Sequence, residues 1–295
     1  MVAQTVPDPR RPAPGELLIR VHAAGVIPTE LGWYPTWHQK SGEQRRGAIP
    51  GHEFSGTVAE ISKEAGSFFA LGDEVFGMND WFSEGAMAEY CVAPFSAVVL
   101  KPARLSHIEA ASVPISALTA WQALFDHARV QPGERVLIHG AAGGVGSFAV
   151  QLAASHRAHV IATVSARNIE FVRRMGAQDV IDHRATRFED SAKQVDVVLD
   201  TVGGETLDRS WGVLAPGGRL VTVAATAEAS ADPRVKKSFF IVEGNNKQLA
   251  GIAALLQEGK LQPFVDAVVP MSRASEAYAG TIERHGRGKI VVAIS

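Results

Sequence analysis

The stretch Arg135–Ala154 reads RVLIHGAAGGVGSFAVQLAA, and the fold follows from it. A short apolar run leads into a glycine-rich turn, and a helical apolar period comes straight after it. Laid on the G-x-G-x-x-G pattern, Ala141, Gly143 and Gly146 take the three glycine positions, with Gly144 and Val145 between the last two. A turn of this kind lets backbone approach a pyrophosphate and aims the N–H groups of a helix start at its charge. The bland alternative is a glycine turn that binds nothing, and the surroundings argue against it. Confirmation of the pattern needs a strand before it, a helix after it and further βαβ units around it.

Those units are present. HVIATV (from His159) reads as a strand, NIEFVRRMGA as a helix and DVID as a strand. VDVVLD is a further strand, ETLDRSWGVL a helix, APGG a turn and RLVTVA a strand. Strands alternating with helices of about ten residues imply a parallel sheet. The apolar run Ser238–Val242, SFFIV, is expected to add a sixth strand.

Upstream of about Ser116 the texture differs. ELLIRVHAAGV, FSGTVAEI, GDEVFGM, AEYCVA and AVVLKP are short β-type runs punctuated by glycine and proline. Beyond Gly244, QLAGIAALLQEGKL and SEAYAGTIERHG are expected as helices, and FVDAVV and GKIVVAIS as strands without a βαβ partner. The expected division is therefore 1–115, a mostly β domain; 116–243, a doubly wound parallel-sheet domain; and 244–295, a return to the first.

Composition removes several function classes. A net charge of -2 leaves no electrostatic footprint for nucleic acid or an anionic membrane. No run reaches the roughly 20 apolar residues of a bilayer span. The proline-rich start, MVAQTVPDPRRPAPG, has no apolar core and does not read as a signal peptide. One cysteine, Cys91, excludes an internal disulfide and fits a reducing, cytoplasmic setting.

The end of the second βαβ strand bears on the cofactor. A site for NAD places Asp or Glu about 20 residues past the glycines. Here Thr163–Asn168 holds no carboxylate, and Ser165 and Arg167 stand where a 2′-phosphate would lie. NADP(H) is expected over NAD(H), with Arg167 as a solvated charge at a helix start the plain alternative.

HGAAGGVG, DTVGGETL, LAPGGRLV, PGHEFSGTV, GDEV and the closing RGKIVV together resemble the medium-chain dehydrogenase/reductase superfamily, in its zinc-independent quinone-oxidoreductase-like branch. The resemblance covers nearly the whole chain. Members usually open with a strand before the PxPGE turn, whereas here Pro12–Glu16 comes almost at once. The resemblance implies a GroES-like catalytic domain built from both chain ends around a Rossmann domain. The candidate cofactor-binding residues are Thr119, Ala141, Gly143, Gly144, Val145, Gly146, Ser165 and Arg167.

In zinc-dependent relatives a cysteine, the histidine of GHE and a later cysteine or acid hold the metal. Ile27 occupies the first position here, Val113–Trp121 offers neither Cys nor His, and Glu30 and Glu53 complete no recognisable set. No metal is expected, and His52 reads as a packing or a catalytic histidine. Without zinc to stabilise an alkoxide, hydride transfer favours a conjugated acceptor. The candidate catalytic residues are Thr29, Tyr34 and His52, with Asn79 as a hydrogen-bond donor. Trp33, Tyr34, Trp37, Trp81 and Phe82 cluster beside them, as core packing or as walls for a planar apolar substrate.

Three activities stay open: an NADPH-dependent reductase of quinones or α,β-unsaturated carbonyls, a pathway-specific carbonyl or enoyl reductase, and an NADPH-binding structural or regulatory protein. The run at Ser238–Val242, as an apolar edge, is expected to pair with its own copy in a homodimer.

Overall fold

The structure, a computed structural model, describes residues 2, 4–63 and 68–294. It divides into two units. One comprises Met1–Leu118, Glu243–His285 and Lys289–Ser295; the other comprises Thr119–Val242 and Gly286–Gly288.

In the first unit the alternation in ELLIRVHAAG decides the layering. Leu17, Ile19 and Val21 of β1 (Glu16–Gly25) are fully buried, while Arg20 between them is exposed. One side of β1 pairs antiparallel with β2 (Glu53–Ile61), which pairs with β3 (Glu74–Met78), and that in turn with β5 (Val98–Leu100). The other side of β1 is shared. Glu16–Arg20 faces β4 (Tyr90–Pro94), and Ala23–Gly25 faces β12 (Lys289–Ala293). β11 (Val265–Pro270) closes the seven-stranded sheet, parallel to β12. The core packs Leu17, Ile19, Val21, Phe54 and Val75 against Tyr278 and Ile290.

The second unit is a five-stranded parallel sheet in the order β10-β9-β6-β7-β8. Its strands are β6 (Arg135–His139), β7 (His159–Val164), β8 (Asp179–Asp182), β9 (Val195–Asp200) and β10 (Leu214–Thr222). Val136, Leu137 and Ile138 are fully buried, as a strand covered on both faces requires. The chain runs outward from β6 to β8, then crosses to β9 on the other side of β6, so the order reverses at β6. In open α/β sheets ligands bind at such a reversal, beyond the carboxyl ends of the strands.

Three expectations are corrected. Ser238–Val242 forms no strand. Asp232 caps the helix Pro233–Ser238 through the Arg234 N–H, so Ser238 goes to the helix. Phe239 then makes a single bridge to Thr222, and Phe240 stacks on His127. The helix expected over SEAYAGTIERHG ends at Ala279, because Gly280 takes φ +70° and caps it. Residues 286–288, expected in the first domain, pack with the second unit. There Gly288 N–H donates to Ala142 O at 2.8 Å and Arg287 Nε to Asn168 Oδ1 at 2.9 Å. The expected APGG turn appears as the jump in the β10–β9 register between Leu214 and Arg219. Among the described residues no helix is long and apolar enough to cross a membrane.

Candidate active site

The glycine turn is built by steric exclusion. Gly140 takes φ +67°, and a Cβ there would fall 2.4 Å from Thr201 Oγ1. This residue makes the tight turn, one position before Ala141, where the G-x-G-x-x-G pattern puts it. Gly146 lets the helix Gly144–Ser155 lie close to the strand end, since a Cβ there would stand 2.3 Å from Gly140 O. Gly143 caps that helix at φ -74°. Asp200, fully buried, ties the neighbouring turn by accepting the N–H groups of Val202 and Gly203 and the Thr222 hydroxyl. Thr201 Oγ1 donates to His139 O at 2.8 Å.

A cavity of about 530 Å³ opens at these strand ends. Gly140, Ala142 and Gly143 form one wall, and Thr163, Val164, Ser165 and Gly286 another. His183, Arg184, Arg187 and Arg209 line it as well, and no Asp or Glu does. Arg184 makes no ion pair among the described residues, while Arg187 and Arg209 share Glu189 at 3.2 and 3.1 Å. Of the expected cofactor residues, Gly143 and Ser165 line the cavity. Ala141 is buried beneath the turn, and Gly144, Val145 and Gly146 belong to the helix start. Thr119 is buried on the helix Pro114–Trp121. Arg167 is exposed and packs its guanidinium against the position of Gly286, outside the lining. The basic lining was missed because HRATR follows DVID as an ordinary polar loop. Its signal was position, at the carboxyl end of a strand adjacent to β7.

His139 lies at the base of this cavity, buried between Thr163 Oγ1 and Ser210 Oγ, each 3.0 Å away. Burial pushes its imidazole down from 6.5 to about 4. The unfolded chain therefore takes up a proton that the folded one refuses. Stability should be full above about pH 6.5 and fall as the pH drops towards 4, by about 3 kcal/mol in all. In His139→Gln that share of the acid loss should vanish, read from urea midpoints at pH 7.5 and 4.5. An unchanged acid loss would contradict the assignment.

In the first unit Glu30, on the turn Pro28–Gly32, is fully buried. Its Oε1 accepts the Tyr278 hydroxyl and, at 3.1 Å, the Gly51 N–H. Its Oε2 lies 2.6 Å from His52 Nδ1, and His52 Nε2 lies 3.2 Å from Trp81 O. A carboxylate and a carbonyl both accept, so each ring nitrogen of His52 faces an acceptor. Burial and Glu30 hold the Tyr278 hydroxyl well above its usual range, so it stays a donor.

The expected catalytic residues are scattered by comparison. Asn79 N–H donates to His52 O at 2.9 Å, but the Asn79 amide is buried and donates to Val92 O. Thr29 is exposed on the turn beside Glu30. Tyr34 is 57% exposed and stacks on His38, away from the buried array. Burial pushes the Cys91 thiol up to about 12, which removes it as a nucleophile. No group of three or more His, Cys, Asp or Glu that could hold a metal ion occurs among the described residues.

Comparison with known proteins agrees with this architecture. Residues 13–103 match the alcohol dehydrogenase GroES-like domain, and residues 175–292 match the zinc-binding dehydrogenase family. The chain is 34% identical to a probable zinc-binding mitochondrial oxidoreductase of Arthroderma benhamiae, over 100% of this chain and 93% of that protein. It is 33% identical to the human mitochondrial NAD(P)H oxidoreductase RTN4IP1, over 95% of this chain and 82% of that one. The solved quinone oxidoreductase of Coxiella burnetii superposes with a TM-score of 0.86 at 30% identity, covering 98% of this chain and 93% of that one. With its glycine turn, its reversal at β6 and these likenesses, the chain belongs to the medium-chain dehydrogenase/reductase superfamily, in the quinone-oxidoreductase-like branch.

Proposed function

We propose that the protein is an NADPH-dependent reductase that works without zinc and acts on a quinone or an α,β-unsaturated carbonyl. The observation that carries this reading is the cavity lining of three arginines and no carboxylate. Arginine pairs with phosphate, and a missing acid removes the group that would hold a ribose 2′-hydroxyl and repel a 2′-phosphate. The helix start at Gly143 and Gly144 would face the pyrophosphate, and Arg184, Arg187 and Arg209 would face the 2′-phosphate.

The residues around His52 do not fit a catalytic zinc. Ile27 supplies no ligand, and both His52 nitrogens already face protein oxygens. When bound, NADPH supplies a hydride, and the acceptor also takes up a proton from a hydroxyl or water. With no Lewis acid at hand, a conjugated acceptor spreads the developing charge over its own π-system. Thr29 and Tyr34 are the exposed hydroxyls of the candidate set.

Binding and turnover test the reading together. The wild type should bind NADPH and 2′,5′-ADP far more tightly than NADH and 5′-AMP, and should reduce 1,4-naphthoquinone in the presence of a chelator. Arg184→Ala/Arg187→Ala should weaken 2′,5′-ADP about 10- to 100-fold, with 5′-AMP nearly unchanged, as expected for one or two charged hydrogen bonds. Arg167→Ala should weaken it less. Equal affinity of the wild type for the two cofactors would overturn the NADPH assignment, and activity lost on chelation would overturn the zinc-free one.

A further inference from the structure

His52 is 1% exposed and Glu30 fully buried, yet neither is left over from packing, since every polar contact in their array is directional. The contacts join four separate segments. Glu30 lies on Pro28–Gly32, immediately before Trp33; Gly51 and His52 precede β2; Trp81 stands in the loop between β3 and β4; Tyr278 comes from the helix Ala274–Ala279. Trp81 is held twice by His52, through its carbonyl at 3.2 Å and through its ring, whose centroid lies 5.1 Å from the imidazole. Trp33 meets Trp81 edge-on, with centroids 5.4 Å apart at 77°. Both indoles remain partly exposed.

We propose that Glu30, His52 and Tyr278 form a buried brace that fixes Trp33 and Trp81 as a rigid aromatic corner for a flat conjugated carbonyl, and that His52 is a positioning residue in the reaction. For His52 to give a proton to substrate, its Nε2 would have to leave the Trp81 carbonyl and come out of a site that is closed to solvent. Held where it is, the ring sets the orientation of both loops. An indole pair fixed in advance contributes more to binding a planar ligand than one ordered on contact, because the ordering entropy is already spent in folding. The substrate part of this inference rests on the reductase reading above, whereas the brace itself does not.

Tyr278→Phe is the mildest cut, because it removes one donor to Glu30 and keeps the ring in the core. In this variant amide hydrogen exchange over residues 31–37 and 79–85 should quicken about tenfold, with residues 135–154 unchanged. The KM for 1,4-naphthoquinone should rise about five- to tenfold, while kcat stays within twofold and its pH profile keeps its shape. His52→Gln should show the same pattern more strongly, and Trp81→Leu should raise the KM without quickening exchange over 31–37. Unchanged exchange in Tyr278→Phe would overturn the brace. A fall in kcat of a hundredfold or more in His52→Gln, with a limb of the pH profile lost and KM unchanged, would make His52 the proton donor and overturn the positioning role. If the wild type reduces no quinone, the reductase reading and the aromatic corner fail together, and exchange still decides the brace.

Discussion

Lys289→Met should destabilise the protein by about 3–5 kcal/mol, the usual cost of removing one partner from a buried ion pair. Lys289 Nζ pairs with Glu53 and donates to Ser116 Oγ at 3.2 Å, and Glu53 is fully buried. The second Glu53 oxygen accepts the Ile115 N–H at 2.9 Å, at the start of the helix Pro114–Trp121. The space for this carboxylate is made by Gly25, where a Cβ would fall 2.5 Å from Glu53 Oε1. Without Lys289 the carboxylate is left in an apolar setting with one backbone donor. Burial already raises the Glu53 carboxyl above its usual range, against the pull of Lys289. A raised carboxyl means the folded state holds its proton more tightly than the unfolded one. The deficit of the variant should therefore shrink as the pH falls through the folded value towards 4.5 and be largest at neutral pH. Glu53→Leu/Lys289→Met removes both charges and should recover most of the loss. Urea midpoints for the wild type, both single variants and the double variant check this. A cost below about 1 kcal/mol for Lys289→Met would show that the pair is not the anchor described.

Gly146→Ala should lower affinity for NADPH and for 5′-AMP alike, by about 10- to 100-fold, together with a stability loss of about 1–3 kcal/mol. The added methyl would meet Gly140 O at 2.3 Å and the Ala141 Cα at 2.7 Å. Both are backbone atoms and cannot swing aside, so the helix start must move off the turn. Gly143→Ala separates the two effects. Its φ of -74° suits any residue, and a Cβ there meets only Gly140 O, at 3.3 Å. That variant should keep its stability and lose affinity, because only a bound pyrophosphate needs the space. Titration of cofactor fluorescence beside urea unfolding reads both quantities. Full affinity in Gly143→Ala would place the pyrophosphate elsewhere.

The parallel sheet was legible because most of its strands are short runs dominated by Val, Ile and Leu that alternate with a helical period, and both signals are local. RVLIHG, HVIATV and VDVVLD needed no tertiary information to be recognised as strands. SFFIV carries an equally strong local signal and forms no strand, since the capped helix before it takes Ser238 and the stack on His127 takes Phe240. The helix over SEAYAGTIERHG likewise stops at Gly280, the first residue of that stretch free to adopt φ +70°.

At the site the division follows the range of the interactions. Sequence by itself determined the fold class, the glycine turn and the absence of a carboxylate at Thr163–Asn168. Each of these depends on residue type at a fixed spacing within one βαβ unit or one loop. Only the tertiary structure decided that Gly140 makes the turn, that Arg184, Arg187 and Arg209 line the cavity while Arg167 stands outside, and that His52 is closed between Glu30 and Trp81. Tyr278 reaches Glu30 across 248 positions of chain. Contacts at that separation are set by how strands pair and which face each side chain takes, and no local spacing encodes them.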